Sequence, residues 1–373
     1  MTMKLTGIRV LDLSQFLPGP HLTMTMADHG ADVIMIEPKN GVGEPVRAMG
    51  TRAADGTSVW FRNIARGKRS IALDLKNKND LETFLRLADT ADVILEAFRP
   101  GVAARLGIGY DAIAARNPRI VYCSISAFGQ NGPLRDKPSH DLGVQALAGT
   151  LDLSRSFADG KPNIPNLVAA DMAASLTALS AILMALLARE RTDKGEYIDI
   201  AMYDALLAWT PNIVGSVFGE NRAPAPHEMR NYGGQAMNRI YETGDGGFVV
   251  LAGNEAKFCE NLLRALGRLD FLDLAKGEPG VAQQPLIECF AATFKTKTLA
   301  EWETFLTPID LCWAPVRSLK EGFGDANAAA RSMLIHDESG NPHIGPAIKF
   351  RHEPAEPDLK LPDYEPGAKI AWR

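Results

Sequence analysis

The chain has 373 residues, a formal net charge of −5, and 46% hydrophobic and 23% charged residues. That length exceeds one ordinary domain and points to two units, or one large unit with an insertion, in a folded globular protein free of like-charge tracts. The acidic balance excludes broad, sequence-independent binding to nucleic acid, which needs a basic face to release counterions.

The opening MTMKLTGIRVLDLS lacks a signal-peptide pattern, and no apolar run reads as long enough to cross a bilayer, so a cytoplasmic protein without a membrane partner is expected. Short Val- and Ile-rich runs follow: IRVLDLS from Ile8, ADVIMIE from Ala31, SIALDL from Ser70, ADVILEAF from Ala91 and RIVYCSIS from Arg119. Helical patterns lie between several of them, among them HLTMTMADHG and KNDLETFLRLADT. This alternation predicts an open α/β unit with a parallel sheet. Ligands of such sheets sit beyond the carboxyl ends of the strands, so the loops after DLS, IE and EAF are candidates for a site.

AADMAASLTALSAILMALLARERTDKGEYIDIAM predicts a long helix, with Leu176, Leu179, Leu183 and Leu186 at helical spacing and DKG as its stop before a further strand. A second helical run, DALLAWTPNIVGSVFG, is broken at Pro211. Residues 220–236 are rich in Pro, Gly and charge and read as a linker. IYETGDGGFVVLAGN then gives a strand, turn and strand, followed by helical patterns around AKFCENLLRALGR and TLAEWETFL, which suits a smaller α+β unit. The Pro-rich tail from Gly345 suits an extended arm. Cys123, Cys259, Cys289 and Cys312 are scattered, form no C-x-x-C pair and read as reduced thiols.

Two side chains stand out. Asp171 directly precedes the long helix, where a carboxylate caps exposed N–H groups; the same helix start can also stabilise negative charge on a substrate oxygen. His140 lies in a polar loop after the fifth strand, on the carboxyl side of the sheet, and is either a capping residue or an acid/base. Arg62, Arg66, Lys68, Arg69, Lys76, Arg99 and Arg105 lie at strand edges, either as a solvated face or as a set able to hold phosphates. No G-x-G-x-x-G, Walker or G-x-S-x-G motif occurs, and the seven histidines are too dispersed to predict a metal site.

VLDLSQFLPGPHLTMTMADHGADVIMIE, RGKRSIALDLK, EAFRPGVAARLGIGYD, SAFGQNGP, HDLGVQALAG, the long-helix segment and CWAPVRSLKE together resemble the class III CoA-transferase family, which also contains α-methylacyl-CoA racemases. The match runs over nearly the whole chain in motif order. It implies a Rossmann-like large domain over residues 1–220, completed by 325–373, and a linker with a small α+β domain over 221–324. It also implies an interlocked homodimer and an acyl-CoA substrate, with CoA entering as part of the thioester and no tightly bound cofactor. The CoA contacts it implies are Lys39, Leu73, Asp74, Leu75, Lys76, Ala97, Phe98, Arg99, Arg105 and Asp141.

Within the family, transferases use an aspartate matching Asp171 as nucleophile, forming a mixed anhydride. Racemases pair it with the histidine of an HD motif, here His140 and Asp141. LPGP, with Leu17 where oxalate-type transferases tend to carry glutamine, and GNEAKF, with Glu255, also resemble the racemases. Pro38 and Lys39 depart from the racemase pattern, which has an arginine after the acidic end of the second strand. NYGGQAMNRIYE echoes the glycine loop of oxalate-type transferases. The expected function is racemisation of 2-methyl-branched acyl-CoA, with His140 and Asp171 as acid/base groups, Glu255 orienting, and the helix start stabilising the enolate. A CoA-transferase acting through Asp171 is the alternative, and a non-catalytic acyl-CoA-binding paralogue the third.

Overall fold

The computed structural model describes residues 2–156, 159–366 and 370–373. Their contacts divide the chain into two compact units, Met1–Leu151 with Ile164–Thr210 and Ala326–Arg373, and Asp152–Asn163 with Pro211–Asp325. The second unit therefore starts at Pro211, ten residues ahead of the linker boundary expected at 220/221, and also takes in Asp152–Asn163.

The first unit runs β1 (Arg9–Leu13), α1 (Pro18–Asp28), β2 (Asp32–Pro38), α2 (Val59–Ala65), β3 (Arg69–Leu73), α3 (Lys78–Ala88), β4 (Val93–Glu96), α4 (Val102–Arg105), α5 (Tyr110–Ala114), β5 (Val121–Ser126), α6 (Asp141–Leu147), α7 (Ala169–Thr192), β6 (Glu196–Ala201) and α8 (Met202–Leu207). The strands form one sheet in the order β3-β2-β1-β4-β5-β6, and every pairing is parallel. A parallel sheet is buried on both faces, so its strands are apolar at consecutive positions instead of alternating with polar ones. In β4, Val93 and Leu95 join one core with Met26 of α1 and Ile182 of α7, while Ile94 joins the other with Phe84 of α3 and Ile113 of α5. The order reverses direction at β1 and β4, and the crevice beyond those two strand ends is where such folds take ligands.

α7 starts at Ala169, not after Asp171. Its leucine stripe also divides: Leu179 and Leu186 are buried with Ala170, Ala173, Ala174, Ala178 and Ile182, whereas Leu176 and Leu183, with Met184 and Leu187, are exposed. Small alanines let the helix lie close on the sheet, and the outer face stays apolar. The helix is long and apolar enough to cross a membrane by length and composition, contrary to the expectation from sequence. Its inner face is part of the core around β1, β4 and β5.

The second unit holds α9 (Gly215–Glu220), β7 (Asn238–Glu242), β8 (Phe248–Ala252), α10 (Ala256–Ala265), α11 (Leu272–Ala275), α12 (Gln284–Phe294), α13 (Leu299–Leu306), β9 (Trp313–Pro315) and α14 (Leu319–Gly324). β7, β8 and β9 form an antiparallel sheet. Tyr241, Phe290, Phe294 and Trp302 build its core. α13 opens with a reciprocal capping box between Thr298 and Glu301. The chain returns to the first unit with α15 (Ala326–Ala330) and a hairpin of β10 (Leu334–His336) and β11 (Pro342–Ile344). After that hairpin the tail is extended, as expected, though its residues 367–369 lie outside the described set.

Four of the basic residues read as a solvated face or a phosphate-holding set are instead tied into ion pairs of the fold, Arg62, Arg66 and Lys68 buried and Arg69 partly exposed. Arg66 is buried and grips Asp28 through Nε at 2.9 Å and Nη2 at 2.6 Å. Lys68, fully enclosed, donates to Asp12 Oδ2 at 3.1 Å and Pro20 O at 2.8 Å. Arg62 bridges Asp55 and Asp337, and Arg69 chelates Asp32. Each buried cation has a carboxylate that compensates its lost hydration, which leaves none of the four free to receive a ligand.

Candidate active site

The loop between β5 and α6 and the first turn of α7 meet at the carboxyl end of the sheet. His140 is the N-cap of α6 in extended conformation, yet among the described residues its side chain makes no capping bond. It is exposed, and the ring of Phe16 meets it edge-on at 5.9 Å between centroids. Phe16 sits in the loop after β1 at φ +67°, a conformation disfavoured for an aromatic residue, and its N–H donates to Glu44 Oε1 at 3.0 Å. Sequence reasoning missed Phe16; the available signal was an aromatic residue in the loop beyond β1, just ahead of a Pro-Gly-Pro helix start.

Asp171 is the third residue of α7, so it does not cap that helix. The cap comes from elsewhere. Asp141 Oδ1 accepts from Ala170 N at 2.8 Å and Asp171 N at 3.2 Å, and Gln145 Nε2 donates to Asp141 Oδ2 at 2.6 Å. A helix start leaves unpaired N–H groups, and a carboxylate borrowed from the neighbouring helix satisfies two of them here. The donors expected to stabilise an enolate are thus already taken by Asp141. Asp141 is covalently joined to His140 and hydrogen-bonded to the backbone of Asp171, so one buried side chain sets the register of both candidate groups. Burial, and then the charge of Asp141, push the Asp171 carboxyl up to about 7.

His140 and Asp171 line one cavity of about 410 Å³, with Phe16, Ile125, Phe128 and Met202 supplying apolar wall and Arg99, Arg135 and Lys137 supplying charge. A second cavity of about 280 Å³ shares Gln15 and Phe98 with the first and is lined by Lys39, Leu73, Asp74, Leu75 and Lys76. Ala97, Phe98 and Arg99 lie on the first. Among the described residues, Asp141 and Arg105 line neither cavity. Asp141 is held behind the wall by its capping bonds, and Arg105 is exposed on α4. Glu255 belongs to the second unit, as the exposed N-cap of α10. Among the described residues no group of three or more His, Cys, Asp or Glu side chains is gathered as for a metal ion.

A doubly wound sheet with a histidine and a half-buried aspartate on one cavity at its carboxyl end, and a second cavity sharing two wall residues with the first, describes an α/β enzyme architecture. The model of CoA-transferase family III matches residues 5–366, and the chain belongs to that family. It is 34% identical to the acetyl-CoA:oxalate CoA-transferase of Acetobacter aceti, over 88% of this chain and 85% of that protein. It is 31% identical to the α-methylacyl-CoA racemase of Mus musculus, over 96% and 89%. A CaiB/BaiF family protein from Brucella suis has a crystal structure that superposes with a TM-score of 0.82 at 28% identity, covering 98% of this chain and 97% of that one. Transferases and racemases are thus both represented among its relatives.

Proposed function

We propose that the protein is an acyl-CoA racemase acting on 2-methyl-branched thioesters. The nucleotide end of CoA occupies the cavity with Lys39 and Lys76, and the thioester and acyl chain occupy the cavity with His140 and Asp171. The single observation that carries the reading is that His140 and Asp171 line one cavity; burial, which pushes the Asp171 carboxyl up to about 7, supports it. A group that titrates near neutrality gives and takes a proton readily, which suits acid/base work at a carbon made acidic by its thioester.

In this mechanism one of the two groups removes the α-proton and the other returns one to the opposite face. No step runs through the N–H groups of α7, which Asp141 occupies. Glu255 takes an orienting role by its match to the racemase segment. The exposed apolar face of α7 suits a second copy of the chain, in keeping with the interlocked pair the family resemblance implies.

A single enantiomer of a 2-methylacyl-CoA, incubated with the protein and no carboxylic acid, is expected to approach an equal mixture of epimers. Retention of configuration, together with transfer of CoA to an added carboxylate and a hydroxylamine-sensitive acyl group on Asp171, would establish the transferase instead.

A further inference from the structure

The end of the chain reaches the second cavity without lining it. Residues 360–366 run along the open edge of β3: Gly67 N donates to Lys360 O at 3.0 Å, Ala72 N to Glu365 O at 3.5 Å, and Ala72 forms a parallel bridge with Pro366. Arg47, whose guanidinium is paired with Glu37, also donates to Pro362 O at 3.0 Å. Between these anchors stands Tyr364. Its hydroxyl donates to Pro38 O at 3.2 Å and accepts from Gly41 N at 3.0 Å, and a Cβ on Gly43 would lie 2.7 Å from its ring.

The segment it grips, 38–43, supplies Pro38, Lys39 and Asn40 to the wall of the second cavity. Gly41 and Gly43 hold φ of +82° and +72°, and Asn40 Oδ1 accepts from Val42 N and Gly43 N at 2.9 Å each. A loop with two such glycines has many other conformations open to it, so its shape depends on outside contacts. One phenol bonded to both ends of the turn, with its ring against the second glycine, closes that choice before a ligand arrives. Ligand binding then spends no free energy on ordering the loop.

We propose that Tyr364 is a positioning residue for the nucleotide end of the CoA thioester, holding the 38–43 loop in the shape that receives it. The inference rests on CoA being part of the ligand and is indifferent to racemase or transferase chemistry. Its effect is confined to one end of the ligand, because a pantetheine thioester lacks the part that enters the second cavity.

Titration calorimetry with CoA, and turnover of one acyl group carried on CoA or on pantetheine, test it. Tyr364→Phe, which removes both hydrogen bonds of the hydroxyl, is expected to weaken CoA about tenfold. It should raise KM for the CoA thioester in step, leave kcat unchanged, and leave both constants for the pantetheine thioester unchanged. Tyr364→Ala, which also removes the ring from Gly43, should show the same pattern more deeply. Wild-type affinity for CoA in Tyr364→Phe, or equal losses on CoA and pantetheine ligands, would overturn the proposal. Wild-type protein that binds no CoA would overturn the ligand reading beneath it, and the two failures are distinct because wild type and variant are titrated side by side.

Discussion

Replacing Asp171 with asparagine should stabilise the protein, and by an amount that depends on pH. The carboxyl stands at about 7 in the folded chain against 3.8 for the unperturbed group, raised by burial first and by Asp141 second. Below the unfolded value both states are protonated and the site costs nothing. As pH rises from there the unfolded chain ionises first, and the penalty grows until the folded carboxyl has ionised as well. Three units at 1.36 kcal/mol each set a ceiling of about 4 kcal/mol, which water reaching the half-buried group reduces to about 2 kcal/mol. Asp171→Asn has no charge to bury, so urea midpoints should favour it fully at about pH 8 and by about a quarter as much at about pH 4.5. A difference that does not change with pH, or a variant less stable than wild type at high pH, would refute the account of why this carboxyl is perturbed.

Further consequences follow from the surrounding contacts. Gln145→Leu leaves Asp141 Oδ2 without its 2.6 Å donor; the chain should lose about 1–3 kcal/mol of stability, and the pH–rate limb of Asp171 should move upward. Lys68→Ala removes the cation paired with the buried carboxylate of Asp12, which keeps its donors from Ser14 and Thr23, and should cost about 3 kcal/mol, with CoA affinity unchanged in the protein that remains folded. His21, His29 and His343 all have folded pKa values below 6.5, chiefly through burial. The unfolded chain therefore binds the extra protons, and thermal stability should fall as pH drops through and below 6.5.

The sheet was legible because parallel strands buried on both faces must be runs of Val and Ile, and β1 to β5 fall on the five runs so marked, with β2 ending one residue later and β3 starting one residue earlier than its run. His140 and Asp171 were legible as a pair only through motif resemblance, and the fold then puts both on one cavity. What stayed hidden was pairing across distance. Asp171 looked like a cap because nothing in its neighbourhood announces that a carboxylate thirty residues earlier does the capping. Arg62 and Arg66 looked like free cations because Asp337 and Asp28 come to them only through the fold. The stripe through Leu176, Leu179, Leu183 and Leu186 marked the long helix correctly, but helical spacing does not say which of its leucines the chain itself covers: Leu179 and Leu186 are buried, Leu176 and Leu183 exposed.

Proton exchange at the α-carbon is the most direct measurement. With each epimer of one acyl-CoA in deuterated water and no acceptor acid, mass spectrometry should find deuterium at that carbon for the wild type from both epimers, whereas His140→Ala and Asp171→Asn should each lose exchange from the one epimer whose proton the missing group faces. Full exchange of both epimers persisting in His140→Ala would remove the imidazole from the mechanism, and an unlabelled product from the wild type would contradict the racemase account outright.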